Sequence, residues 1–145
     1  RVLLPPVHCT KRSILSTIAR LYDPLGYLAP IIFRAKCMLQ LTWQSNLEWD
    51  EEVPEELGKS WSQFVEELPS ITSISIPRAF PKTDSSYQLV CFSDASASGY
   101  CAAAYLRSTQ GNLTTMALIK AKTKLAPLKS LTIPRLELCG ALLLS

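Results

Sequence analysis

The sequence predicts an α+β fold in which helices come first and a small antiparallel sheet follows. Apolar residues recur with helical spacing between residues 10 and 68. Residues 87–124 instead show two-residue alternation and apolar runs that are separated by turns of small residues, as is typical of strands. A capping threonine then predicts a final helix from residue 132. With 145 residues, 48 % hydrophobic and 19 % charged, the chain can bury one ordinary core and is not typical of disordered proteins.

The N-terminal region predicts a helical hairpin. Thr10 is a favourable N-cap for a helix that continues to about Tyr22. Residues 23–26, Asp-Pro-Leu-Gly, end this helix because Asp before Pro disfavours helix and Gly tolerates a positive φ. Pro30 opens a second helix that runs to about Ser45.

A connector helix and a short strand are predicted next. Pro54 begins the helix, acidic residues in its first turn suit the helix dipole, and Pro69 ends it. The partly alternating residues 71–76 predict a short strand, and the polar residues 78–86 predict a turn that contains a domain boundary near residue 84. Tryptophans 43, 49 and 61 are predicted to anchor the core.

The most informative stretch is a predicted β-hairpin around Asp94. The apolar run 89–92 delivers Asp94 to a turn of small residues, 95–99, and a second apolar run, 100–106, follows. A carboxylate at the end of a buried strand is costly unless it is paired or bound to a metal ion. Asp94 is therefore the best candidate in the chain for an acid held in place for chemistry.

A third strand and a final helix complete the predicted elements. Residues 113–124 predict the strand, and Thr132 caps a helix that carries Glu137 about one turn from its start. The chain stops at Ser145 in the middle of this helix, which predicts that the sequence is a fragment.

Charge is distributed unevenly along the chain. The net charge is +5 over residues 1–47, −6 over residues 48–85 and +4 over residues 86–145. Two basic regions suit a polyanion such as nucleic acid, although ordinary solvated faces explain them as well. The candidate phosphate contacts are Lys11, Arg12, Arg20, Arg34 and Lys36 in the helical hairpin, and Lys120, Lys122 and Lys124 on one face of the third strand. Protection of an edge strand explains the last three lysines equally well.

Cysteine usage and hydropathy predict an intracellular protein. The five cysteines are scattered and form no CxxC pair, so we expect reduced thiols. No apolar run approaches the ~20 residues of a membrane span, and no N-terminal signal pattern is present. The sequence therefore predicts no membrane association and no secretion.

Several motifs together resemble one family of retroelement proteins. The strand Phe92-Ser-Asp-Ala-Ser96 and the helix bearing Glu137 resemble the start of a retroelement ribonuclease H domain. The wider chain resembles BEL/Pao retrotransposon polyproteins, in a family catalogued as the Pao retrotransposon peptidase family. The motifs that carry this resemblance are residues 11–30, 47–50, 76–78, 121–122, 126–129 and 131–138, and they follow the family's order over nearly the whole chain.

The resemblance implies a position between reverse transcriptase and ribonuclease H. Residues 1–47 would be thumb-like helices that grip the template–primer duplex, residues 48–85 an acidic connector, and residues 86–145 the N-terminal part of an incomplete ribonuclease H-like domain with one truncated helix. Asp94 and Glu137 would be two of the ligands of Mg²⁺ or Mn²⁺ ions that serve hydrolysis of the RNA strand of RNA–DNA hybrids.

The resemblance also carries expectations about partners and activity. The rest of the pol polyprotein would be a partner, in a cytoplasmic virus-like particle. Two further acidic ligands are expected downstream, so we expect the fragment alone to be inactive.

Two alternatives remain open. An aspartic peptidase needs Asp-Thr/Ser-Gly, whereas Asp94 is followed by Ala95 and Ser96, and the second carboxylate would have to come from dimerisation. A non-catalytic nucleic-acid-binding scaffold would use the basic faces, with Asp94 merely paired, for example with Arg135 or a lysine.

Overall fold

The computed structural model describes residues 8–76 and 86–145 and confirms the α+β class. The chain divides into two compact units. One comprises Arg1–Tyr22 and Arg34–Ile76, and the other comprises Asp23–Phe33 and Pro77–Ser145. Most of the polar turn predicted around residue 84 lies outside the described residues.

Helices form the first unit. Thr10 caps α1 as predicted, because its hydroxyl accepts the N–H of Ser13 at 3.2 Å while the Ser13 hydroxyl accepts the N–H of Thr10 at 2.9 Å. The helix ends three residues before the predicted Tyr22, whose side chain is 87 % exposed. The helices are α1 (Lys11–Ala19), α2 (Ala29–Gln44), which begins in the second unit, and α3 (Glu55–Glu67).

The core of the first unit is built around Trp61. This side chain is 1 % exposed and stacks on Phe64 with the ring centroids 5.3 Å apart. Trp43 and Trp49 are 39 % and 43 % exposed and contact each other edge-to-face at 6.3 Å. The prediction of a core anchor is confirmed for Trp61 and is wrong for the other two tryptophans.

The short strand predicted over residues 71–76 is wrong. Leu68–Ser73 is a 3₁₀ helix that continues directly from α3. Hydroxyl groups stabilise these tight turns by donating to carbonyls three residues earlier, from Ser70 to Glu67 at 2.6 Å and from Ser73 to Ser70 at 2.7 Å. These local hydrogen bonds favour the 3₁₀ helix, whereas the alternation of isoleucines that predicts a strand is weak.

The second unit contains the predicted three-stranded sheet. Its strands are antiparallel in the order β1–β2–β3, and Gly111, with φ of 57°, makes the turn between the last two. A β-bulge interrupts the pairing of β2 with β3 between Ala104 and Tyr105. The elements are β1 (Ser86–Ser96), β2 (Gly99–Gln110), β3 (Leu113–Leu125) and α4 (Ile133–Leu144).

Helix α4 covers part of one face of the sheet in the second unit. Helix α4 packs on β1 and β2 through Leu136, which is 1 % exposed, and through the buried Gly140. The prediction that β1 is a buried strand is wrong, since Leu89 is 65 % and Phe92 56 % exposed. An apolar run of this length indicates a strand but does not show how many of its faces are covered.

Residues 23–33 belong to the second unit rather than forming a simple helix–helix turn. The Asp23 carboxylate accepts the backbone N–H groups of residues 26, 27 and 28 at 3.0, 2.9 and 2.8 Å. The carbonyl of Leu25 accepts the N–H of Ala121 at 2.8 Å, and the Tyr27 hydroxyl donates to the carbonyl of Leu118 at 3.0 Å. This segment is therefore attached to β3.

Candidate functional site

Asp94 lies two residues before the end of β1 and is exposed. It pairs with Cys101 of β2, which in turn pairs with Thr123 of β3. One oxygen of its carboxylate accepts the N–H of Ala95 at 2.8 Å. Because the side chain is exposed, the free-energy cost expected for burying this carboxylate does not arise. Asp94 is a candidate functional residue because of its position near the end of β1.

Helix α4 contacts the backbone of the sheet at Asp94. A Cβ atom placed on Gly140 would lie 3.4 Å from the Asp94 carbonyl oxygen, 3.3 Å from the Cys101 carbonyl oxygen and 3.5 Å from the Ser93 Cβ atom. Only a residue without a side chain allows this approach without displacing a neighbour. Glu137 lies three residues earlier, so it stands ~4.5 Å along the helix axis from this contact, and it is exposed.

The Asp94 side chain and α4, which carries Glu137, lie on opposite faces of the sheet. The Ser93 Cβ atom faces α4, so strand alternation directs the Asp94 side chain to the opposite face. Within the described residues β1 is an edge strand, so a cation shared by Asp94 and Glu137 would have to lie at its free edge.

The donor chemistry of these carboxylates fits a divalent metal ion. Carboxylate oxygens are the ligands that Mg²⁺ and Mn²⁺ favour. Residues 8–76 and 86–145 contain no group of three or more acidic, histidine or cysteine side chains that could hold such an ion. Asp94 and Glu137 are therefore two candidate ligands of an incomplete set.

Three exposed lysines form a row on β3. Their partners in β2 are Ala104, Ala102 and Tyr100, and Ala102 pairs with Ser93, so the row shares the face on which α4 packs. Because α4 packs on β1 and β2, the lysines lie beside it on the same face. We call Lys120, Lys122 and Lys124 the lysine row.

Most of the basic residues predicted in the helical region have partners inside the protein. Lys11 is buried, donates to the Leu47 carbonyl and lies over the rings of two tryptophans, 5.3 Å and 5.5 Å from their centroids. Arg12 donates to both carboxylate oxygens of Asp50 at 2.7 Å and 3.0 Å, and this hydrogen bond is the main reason that the pKa of Asp50 is lowered.

The remaining three are more accessible. Arg34 forms an ion pair with Glu67 at 3.5 Å. Arg20 is exposed and Lys36 is half-buried, and neither forms an ion pair within the described ranges. The sequence does not show which of the basic residues have partners inside the protein, because the partners are distant in the chain.

All five cysteines are free thiols. Cys91 and Cys101 are exposed rather than buried in the core. Burial, and to a smaller degree the charge of Glu52, raises the pKa of Cys9 from 9.0 to about 11. The thiol of Cys9 therefore stays protonated at neutral pH.

A family model described as the Pao retrotransposon-like RNaseH-like domain matches residues 10–145. The chain belongs to this family. The match confirms the resemblance to the Pao retrotransposon polyprotein, and the fold of the described residues is compatible with an RNase H-like domain. No curated protein and no solved structure matches the chain.

The family assignment bears on the alternatives from the sequence. The matched family is described as RNaseH-like, and Asp94 lies in regular antiparallel pairing rather than on a glycine turn. Nothing in residues 8–76 and 86–145 favours the peptidase alternative for this Pao domain. No helix in the described ranges is long and apolar enough to cross a membrane.

Proposed function

We propose that this Pao RNaseH-like domain lies beside the reverse transcriptase in its polyprotein and contributes to hydrolysis of the RNA strand of RNA–DNA hybrids. The parent would bind template–primer in a cytoplasmic particle. The observation that carries the proposal is the contact of Gly140 with the backbone of Asp94, because it places Glu137 about one helical turn from the backbone of a second acidic residue. Two exposed acids at such a contact suit metal-assisted phosphodiester hydrolysis.

Asp94 and Glu137 are the residues that would hold Mg²⁺ or Mn²⁺. When bound, such ions supply an activated water and stabilise the charge that develops on the phosphate. The N–H of Ala95 holds one oxygen of the Asp94 carboxylate, which limits rotation of the side chain and leaves the second oxygen to face a ligand. Since the described residues provide no third ligand, we propose that this chain alone does not cleave hybrids.

The lysine row would contact the phosphate backbone of the substrate. Alternate residues of a strand are ~6.6 Å apart, so the three ammonium groups form a line of positive charge beside α4. Lys11 is left out of the proposed contact surface because it is buried, and Arg12 because its guanidinium is held by Asp50. Arg20, Arg34 and Lys36 remain proposed contacts of the helical region.

The metal site is tested with Mn²⁺, whose unpaired electrons broaden NMR signals close to it. We expect broadening at Ala95, next to Asp94, and at Leu138, next to Glu137. Asp94→Asn and Glu137→Gln should each abolish both effects if one ion is shared. Glu66→Gln, which removes an exposed acid of α3, should change nothing. No broadening at either position at millimolar Mn²⁺ contradicts the proposed ligands.

Nucleic-acid binding is tested by the salt dependence of affinity for an RNA–DNA hybrid. The double variant Lys120→Gln/Lys124→Gln should weaken binding and reduce the slope of log K against log salt by ~1.5, since each phosphate contact contributes 0.7 to 0.9. Lys59→Gln/Lys129→Gln removes the same charge elsewhere and serves as the control. Equal slopes in both variants contradict a role of the lysine row.

One outcome favours the scaffold alternative. If the lysine row binds hybrids while Mn²⁺ broadens neither acid, the domain binds nucleic acid without a metal site. A longer chain that contains the domain should then also fail to cleave hybrids in Mg²⁺ or Mn²⁺.

A further inference from the structure

The second unit contains an open cavity of about 490 Å³ on the face of the sheet opposite α4. Residues 26–33 form one wall and the strands form the other. This volume lies within the range of small-molecule sites, which are mostly apolar with a few polar groups. Asp94, a proposed metal ligand, and Lys122 of the lysine row are among the residues that border it.

Small residues make the cavity possible. A Cβ atom on Gly99 would clash with the Lys124 carbonyl and would lie 2.7 Å from the ring of Phe33, and one on Gly26 would clash with the Ala121 carbonyl. The segment therefore lies directly against the backbone of the sheet at two points. Between these points the short side chain at Ala103 leaves the space open.

The side chains that line the cavity are mostly aromatic or small, with one acid. Tyr27, Phe33 and Tyr105 contribute rings, and Asp94 contributes a carboxylate. Lys122 also borders the cavity, but it pairs with Ala102 on the face where α4 packs, so its ammonium group points away. The only charge on the cavity face of the lining residues is therefore negative.

We propose that this cavity binds an organic cation in which an amidinium or ammonium group is joined to an aromatic ring. The cationic group would pair with the Asp94 carboxylate, one oxygen of which is already oriented by the N–H of Ala95. The ring would lie between the aromatic side chains and the small residues of β2 and β3, where aromatic faces also attract positive charge. Binding itself does not depend on the proposed nuclease function.

The experiment measures binding of 2-naphthamidine and of its neutral analogue 2-naphthamide by NMR titration in the presence of EDTA. We expect the amidine to bind about tenfold or more tightly than the amide, with shifted signals at Tyr27 and Thr123. Asp94→Asn should make the two affinities nearly equal, whereas Glu66→Gln should leave the preference unchanged. Asp94 is exposed, so its replacement should not prevent folding.

Two results overturn the proposal. One is equal affinity for the two compounds in the unmodified chain, since the cavity would then be apolar without charge selectivity. The other is the absence of binding at millimolar amidine. Because divalent metal is removed throughout, either failure leaves the proposed metal site untouched, and failure of the Mn²⁺ experiment does not affect this result.

Discussion

Gly140 is the residue whose replacement most directly tests the contact between α4 and β1. Gly→Ala in a helix ordinarily stabilises by ~1 kcal/mol. At Gly140 the new methyl group would lie 3.3 Å and 3.4 Å from two backbone carbonyl oxygens, which is tighter than most such contacts, so we expect most of this gain to be lost. Gly140→Leu adds three more carbons against the same backbone and should destabilise by ~2 kcal/mol.

Gly58 provides the matched control. It also lies in a helix, but a Cβ atom there would meet only the Val53 side chain at 3.7 Å, an ordinary contact. Gly58→Ala should therefore stabilise its unit by up to ~1 kcal/mol. Unfolding of the second unit is followed by hydrogen exchange of amides in β1 and β2, because all three tryptophans lie in the first unit.

The result for Gly140→Leu decides whether the reasoning is right. A variant as stable as the unmodified chain would show that α4 does not pack against the backbone at Asp94. The proposed neighbourhood of Glu137 and Asp94 would then lose its structural support. A destabilised variant that still folds should also lose Mn²⁺ broadening at Leu138, since the helix would be displaced.

Three further predictions concern other contacts. Asp23→Ala leaves three N–H groups without their acceptor and should destabilise the second unit by ~1 to 3 kcal/mol in hydrogen-exchange measurements, with Asp23→Asn in between. The pKa of Asp50, measured by NMR titration, should lie below 3.8 and should return to that value in Arg12→Ala. The small stabilisation of the fold by this exposed ion pair is present above pH 3.8 and is lost as the pH falls through the lowered pKa. Cys9, with a pKa that burial raises to about 11, should react with a thiol reagent at least ~10-fold more slowly than the exposed Cys91 at pH 8, and equal rates in the folded protein would contradict its burial.

Elements with strong local signals were predictable from the sequence. Thr10 starts α1 through a capping box, and the three strands are separated by short turns. These features depend on residues only a few positions apart, so a single sequence contains the information. The wrong prediction of a strand at residues 71–76 also concerns local interactions. Hydroxyl groups there form hydrogen bonds that close turns, and the spacing of apolar residues does not reveal these hydrogen bonds.

Features that depend on distant residues were not predictable. The hydrogen bond from Ala121 to Leu25 joins residues far apart in the chain, and no local pattern indicates that residues 23–33 attach to β3. The burial of Lys11 likewise depends on Leu47 and on tryptophans outside α1. Lysine is normally exposed, so the sequence predicts that Lys11 contacts phosphate at the surface, whereas the structure buries this side chain.

Asp94 is central for a different reason from the one that the sequence predicts. The apolar strand predicts a buried acid at its end, but the residue is exposed. Its backbone is the point that Gly140 of α4 touches, and its side chain faces the cavity on the other side of the sheet. The same carboxylate therefore serves both proposals, so a cation that occupies the cavity would compete with a metal ion for it. Since α4, which carries Glu137, packs on the opposite face, a metal ion shared by both acids would have to lie at the edge of β1 that is free within the described residues.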